Sequence, residues 1–230
     1  MRALLLPVKD LRNAKQRLVG ILTPEERFTF SHAMLADTVR AMRGVQRADK
    51  IFVVTNYEPA MQAARENGWQ ILSEDRQISE SVSVDDASRR IEALGFTAVL
   101  RVPLDLPLIQ SCDIDDLLAI DFAALAVVIV PSRDGTGTNA ILRTPPTLFP
   151  SHFGSGSFAK HCAEADAAQA EIHRRRNPRL EMDVDDESDL RALLQHDLTG
   201  THTGVFLNDS GIAQRLSIPE HHSARTASQT

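Results

Sequence analysis

Three groups of charged residues, two of them where apolar runs end, have types that suit phosphate chemistry. In RVPLDLPLIQ, Asp105 directly follows the run Ala98 to Val102. A carboxylate so placed can hold Mg2+, which takes one or two protein carboxylates and fills its octahedron with water and substrate phosphates. An Asp that merely opens a Pro-containing turn has the same local sequence. In EMDVDDESDL, Asp183 and Asp185 are two positions apart, so an extended backbone turns both to one side. Their repulsion is relieved if a cation lies between them, and sharing that cation with Asp105 would make one metal centre. A solvated acidic turn ahead of a helix is the alternative. The third group is the loop PVKDLRNAKQRL, with Lys9, Arg12, Lys15 and Arg17. Such donors neutralise charge that builds on a departing pyrophosphate, although loop cations also serve solubility alone. The GxxxxGK[ST] spacing of a Walker A loop is absent.

A fourth group is made of glycines and hydroxyls. Gly135, Thr136, Gly137 and Thr138 permit close backbone approach to an anion. Gly154-Ser155-Gly156-Ser157 precedes a helical segment and offers N–H groups and the positive end of a helix dipole. Arg133 and His161 are near enough in sequence to add charge toward a small acidic phosphate. For His161, an ordinary surface or capping histidine is the competing reading.

These groups need a scaffold, and the rest of the chain describes one. Apolar runs at Ala3 to Val8, Ile51 to Thr55, Ala98 to Val102 and Leu125 to Val130 alternate with segments of helical period. This is the pattern of an α/β domain with a largely parallel sheet. Thr23, Pro24, Glu25 and Glu26 open a helix that runs to Met42. Further helices are expected over Pro59 to Asn67 and Val82 to Leu94, closed by Gly68 and Gly95. Asp113, Asp115 and Asp116 line another helix start. From Pro131 to Pro146 and again from Ser151 to Phe158, the Gly, Ser, Thr and Pro content predicts long functional loops. Ser157 is expected to cap a helix through about Ala168, followed by a strand near Ala170 to His173 and a last helix from Glu187 to Gln195. Residues 1–218 form one domain in this reading, and 219–230 a frayed polar tail. Ligands of such sheets bind at the carboxyl ends of the strands.

Composition removes several functions. The 230 residues are 43% hydrophobic, enough for a sizeable core. A formal charge of −6 and 5% aromatic content disfavour nucleic acid as a partner. Cys112 and Cys162 form neither a disulfide framework nor a zinc spacing. MRALLLPVKD is too short in apolar residues for a signal peptide, and no run reaches the roughly 18 of a membrane span. A soluble, cytoplasmic protein is expected. A homodimer is left open.

Taken in order, PVKDLRNAKQRL, PLDLP, PSRDGTGTNAILR, FGSGSFAKH and DVDDESDL resemble the signature segments of the 2-phospho-L-lactate guanylyltransferase family. That family includes phosphoenolpyruvate and 3-phosphoglycerate guanylyltransferases of deazaflavin coenzyme factor 420 biosynthesis. The resemblance runs from Arg2 to about Leu194 and implies a single Rossmann-like nucleotidyltransferase domain: a mixed, mostly parallel sheet with one antiparallel insertion and helices on both faces. It implies GMP transfer from GTP to a phosphorylated three-carbon acid, with Mg2+ as cofactor. By likeness, Lys9, Lys15 and Arg17 face the triphosphate, Asp105 lies on the metal-binding segment, and Thr138, Gly154 and Ser157 fall where the acid binds. Where the family usually shows a G-L-N-x-A-like stretch, this chain reads DRQISESVSVDDASRR. A nucleotide-sugar-forming transferase and a non-catalytic GTP-binding module are the rival readings. Pyrophosphate release, and the acceptor that supports it, separates them.

Overall fold

A computed structural model describes residues 1–121 and 124–217. The apolar runs become β1 (Arg2–Pro7), β2 (Lys50–Val54), β4 (Ala98–Arg101) and β5 (Ala126–Pro131), and three shorter or more polar strands join them: β3 (Gln70–Leu72), β6 (Thr138–Thr144) and β7 (Glu171–Arg174). All seven make one sheet in the order β3-β2-β1-β4-β6-β5-β7. β6 runs antiparallel to both of its neighbours, and the remaining pairs are parallel. The sheet is therefore mixed and mostly parallel, as expected. β6 itself corrects the sequence reading, which made 138–144 part of a loop. Only Ala140-Ile141-Leu142 is a continuous apolar run there, yet every residue of the strand is buried.

The helices are α1 (Pro24–Arg43), α2 (Glu58–Glu66), α3 (Glu80–Ala93), α4 (Ser111–Leu118), α5 (Ser157–Ala167), α6 (Glu187–Leu193), α7 (His202–Asp209) and α8 (Ile212–Ser217). α1 opens as its sequence predicts, with a Thr23–Glu26 capping box that satisfies two otherwise unpaired N–H groups. Side chains alternate across the strands, and each face finds its own helices. Leu4, Leu6, Val53, Leu100 and Leu142 pack with Leu35 and Val39 of α1, Ala64 of α2 and Ile114 of α4. On the other face, Leu5, Phe52 and Val99 meet Val84, Ala87 and Ile91 of α3, while Val127, Ile129 and Ile141 meet Ala165 of α5. Removing that much apolar surface from water dominates the stabilisation.

A smaller core joins Phe30 and Met34 of α1 to Leu190, Leu193, Leu207 and Ile212. α7 and α8 lie beyond the helix that the sequence offered as the last. Their docking depends on Asp37, whose fully buried carboxylate accepts the N–H groups of His202 at 2.8 Å and Thr203 at 2.9 Å. The expected tail at 219–230 lies outside the described residues.

Strand direction decides what meets at the active edge. β1, β2, β4, β5 and β7 all finish on one rim of the sheet. β6 starts there, because it runs the other way: Ile141 pairs with Arg101 and Arg143 with Val99, so Thr138 and Asn139 lie past the end of β4. The loop after β1, Asp105 after β4, the hairpin between β5 and β6, and the segment after β7 that carries Asp183 and Asp185 thus share one neighbourhood.

Candidate active site

The loop after β1 is pinned by buried Leu11 and Leu18, each within a short 3-10 turn. Between these turns Lys15 adopts a left-handed backbone, φ 53° and ψ 45°, which is costly for a residue with a Cβ. That conformation turns its side chain inward. Lys15 Nζ donates to Asp105 at 2.7 Å and to Asp185 at 2.9 Å, and its side chain is only 7% exposed. Burial works against the ammonium, but Asp105 and Asp185 outweigh it and hold Lys15 above its ordinary pKa. Burial alone would raise Asp105. Lys15, helped by Arg101, prevails and keeps it below the usual carboxylate value.

Asp183 completes the acidic group. Val184, between Asp183 and Asp185, is wholly buried in the smaller core, which leaves the two carboxylates on the side away from it. Asn139 Nδ2 donates to Asp183 and to the Leu180 carbonyl, both at 3.0 Å, and so fastens the segment after β7 to β6. Burial, then the charge of Asp105, push Asp183 up to about 6, against the opposing bond from Asn139. A carboxylate held this close to like charge favours a cation. Among the described residues no three acidic, histidine or cysteine side chains form a ready metal cage. The donor set fits an ion that draws its other ligands from phosphate and water.

Two cavities meet at this centre. One, of about 510 Å³, lies under the ends of β1 and β2 and reaches from Asp105 past Lys9 and Val54 to Glu74. The other, of about 530 Å³, lies beside the hairpin and the start of α5, bordered by Arg133, Thr138, Gly154, Ser157 and Asp183. Arg17, Glu80, Arg101, Asp105 and Asp185 border both. Arg101 is the main partition. It is 5% exposed, donates to the Asn139 carbonyl at 3.0 Å, pairs with Glu80 and lies 4.2 Å from the Phe153 ring centroid. The sequence reading missed Arg101, Glu80 and Asn139. A charged residue ending an apolar strand four positions before Asp105 was the available signal for the first.

Most sequence candidates therefore converge, with differences in detail. Lys9 is exposed at the first cavity. The Arg17 side chain is 73% exposed and its guanidinium lies 3.9 Å from Asp185. Arg133 borders the second cavity but is paired to Asp189 at 2.7 Å. Ser157 does not cap α5. It is the first helical residue, and Gly156, at φ 69°, holds the capping position without a side-chain bond. Gly154, at φ 111°, makes the turn before it.

His161 does not touch either cavity, which corrects its assignment as a ligand contact. It is fully buried, its Nε2 accepts the His152 N–H at 2.8 Å, and its Nδ1 lies 3.0 Å from Thr138 Oγ1. Both ring nitrogens are occupied within the protein. Its position one turn into α5 turned it toward the sheet rather than the solvent.

The profile of the family described as Guanylyl transferase CofC like matches residues 1–228. The chain belongs to that family. Among relatives of this CofC-like guanylyl transferase is the phosphoenolpyruvate guanylyltransferase of Conexibacter woesei, 32% identical over 213 residues, or 92% of this chain and 95% of the relative. The 2-phospho-L-lactate guanylyltransferase of Methanothermobacter thermautotrophicus is 30% identical over 203 residues, 88% of each chain. Among solved structures, one from Desulfovibrio desulfuricans G20 of the nucleotide-diphospho-sugar transferase class superposes with a TM-score of 0.76 at 14% identity, covering 95% of this chain and 99% of the other. The CMP:2-keto-3-deoxy-manno-octonic acid synthetase complexed with CTP gives 0.54 at 13%, covering 90% and 99%. These likenesses establish the nucleotidyltransferase fold, and the family makes this CofC-like protein a nucleotidyltransferase enzyme. No helix among its described residues is long and apolar enough to cross a membrane.

Proposed function

We propose that the protein transfers GMP from GTP to the phosphate of a small phosphorylated three-carbon acid and releases pyrophosphate, a step in the making of deazaflavin coenzyme factor 420. The observation that carries this reading is the pair of cavities joined at the Lys15, Asp105 and Asp185 centre. The cavity beneath β1 and β2 suits the nucleotide, with Lys9, Lys15 and Arg17 on its triphosphate. The cavity lined by Thr138, Gly154 and Ser157 suits the acid, whose carboxylate and phosphate find hydroxyls, backbone N–H groups and Arg133. Phosphoenolpyruvate, 2-phospho-L-lactate and 3-phospho-D-glycerate all have that chemistry.

A phosphate oxygen of the acid attacks the α-phosphorus of GTP, the new P–O bond forms, and the bond to pyrophosphate breaks. The attacking oxygen is already ionised at neutral pH, so no side chain need remove a proton. What the protein supplies is alignment and charge. Lys15 is anchored beside the reacting phosphates, and Arg101, with Glu80 and Pro103, stands between two compartments that also share the Asp105 and Asp185 edge. Asp105 and Asp183, with Asp185 beside them, would hold Mg2+, which supplies charge neutralisation to the phosphates when bound.

The test is pyrophosphate release and product mass with GTP, Mg2+ and each acid in turn. Asp105→Ala is expected to reduce turnover at least ~10²-fold with the fold retained by circular dichroism. Release supported by sugar phosphates and by none of the three acids would overturn the reading.

A further inference from the structure

We propose that His161 is a positioning residue for the acceptor acid: it compels the Thr138 hydroxyl to act as a hydrogen-bond donor toward the second cavity. This rests on the acid binding there, as proposed above.

The argument is one of hydrogen-bond polarity. The His152 backbone N–H, 2.8 Å from Nε2, can only donate, so Nε2 must be the unprotonated nitrogen. In a neutral ring the hydrogen then sits on Nδ1 and is given to Thr138 Oγ1, 3.0 Å away. That oxygen is already accepting, so its own hydrogen is free to point elsewhere, and Thr138 borders the second cavity. The opposite tautomer would accept the threonine proton and leave oxygen lone pairs facing the ligand. Toward a carboxylate or phosphate the first arrangement attracts and the second repels.

The surroundings keep the ring in the required form. Phe153 stands edge-on at 5.2 Å between centroids, Phe149 lies at 6.1 Å, and no part of His161 is exposed. Arg143, His152, Arg101 and Asp85 are the ionisable groups that act on it. Burial first, then the Arg143 charge, bring the ring's pKa down to about 3, with Asp85 opposing. An imidazolium would also set a second N–H against that of His152. The ring is not needed merely to tether α5, because the Phe158 N–H already donates to the Thr136 carbonyl at 3.1 Å.

Two measurements test this. In protein labelled with 15N-histidine, the His161 ring should carry its hydrogen on Nδ1 and should not titrate between about pH 7 and pH 5. Protonation at Nε2, or a titrating ring, overturns the proposal whether or not any substrate is turned over. In kinetics, His161→Gln keeps an acceptor for the His152 N–H and loses the donor to Thr138, whereas His161→Asn keeps a donor near the Nδ1 position. The glutamine variant should raise KM for the acid roughly tenfold, the worth of one hydrogen bond to a charged group, with KM for GTP unchanged. The asparagine variant should recover most of the loss, and Thr138→Val should add nothing in the glutamine background. Equal rises in both KM values, or an unchanged acid KM, would refute the idea. Absence of wild-type turnover with every acid would instead count against the functional reading, which the ring spectrum does not depend on.

Discussion

Lys15 carries more of the active centre than any other single residue. It is the cation that holds Asp105 and Asp185 together, and its left-handed backbone is maintained because buried Leu11 and Leu18 fix the loop on either side. Lys15→Met should therefore lower pyrophosphate release by at least ~10²-fold, measured with saturating GTP and acid. Lys15→Arg should rescue poorly, since a planar fork does not reproduce a compact ammonium between two carboxylates. His161 makes a prediction of the opposite kind, about stability. Its ordinary value is 6.5 and the folded ring resists protonation down to about 3. The unfolded chain takes up that proton first, so the contribution is complete above pH 6.5 and is lost as pH falls through this window, by up to about 1.4 kcal/mol per pH unit. Urea midpoints should drop less between pH 7 and pH 5 in His161→Gln than in the wild type. Asp105 was legible in the sequence because it closes an apolar run, and Asp183 and Asp185 because their two-residue spacing turns both to one side of an extended segment. Arg101, Asn139 and the inward turn of His161 were not, because each looks like an ordinary strand or helix residue until its partners are in place.

At the level of elements, the hairpin between β5 and β6 forms one wall of the second cavity. Asp134 accepts from the Ser132 hydroxyl and from the N–H and hydroxyl of Thr136, and these bonds bring its carboxyl down to about 2, well below the usual range. Gly137 donates to Ser132 Oγ at 2.7 Å, and a Cβ on it would lie 2.8 Å from that same oxygen. Gly137→Ala should thus force Ser132 aside and loosen the turn. The expected result is a several-fold higher KM for the acid with an unchanged KM for GTP, and a loss of ~1 kcal/mol in denaturant titration. Capping and period disclosed α1 and α2 to within a residue at each end, while α3 begins two residues before the expected Val82. β6 escaped because its apolar segment is three residues long and flanked by turn formers, while Asn139 and Arg143 are buried only by virtue of tertiary partners. Arg143, for instance, meets the Phe149 carbonyl at 2.5 Å and Ser88 Oγ at 2.9 Å.

For the whole molecule, α7 is the element most dependent on a distant contact. Asp37 of α1 replaces the missing intrahelical partners of its first N–H groups, and Arg40 lies 3.3 Å from the same carboxylate. Asp37→Ala should cost about 3 kcal/mol, read from urea midpoints, because buried donors and a guanidinium lose their acceptor together. Neither α7 nor this contact could be read locally: the decisive acid precedes the helix it caps by 165 positions.

The reversed course of β6 has one more outcome. Because that single strand enters the sheet against the grain, one wall of the second cavity is a turn and a strand start that line no part of the first. Exchanges at 132–138 would then reshape that chamber while its neighbour keeps its form, so under the proposed function the acceptor preference could shift through a short stretch of altered sequence.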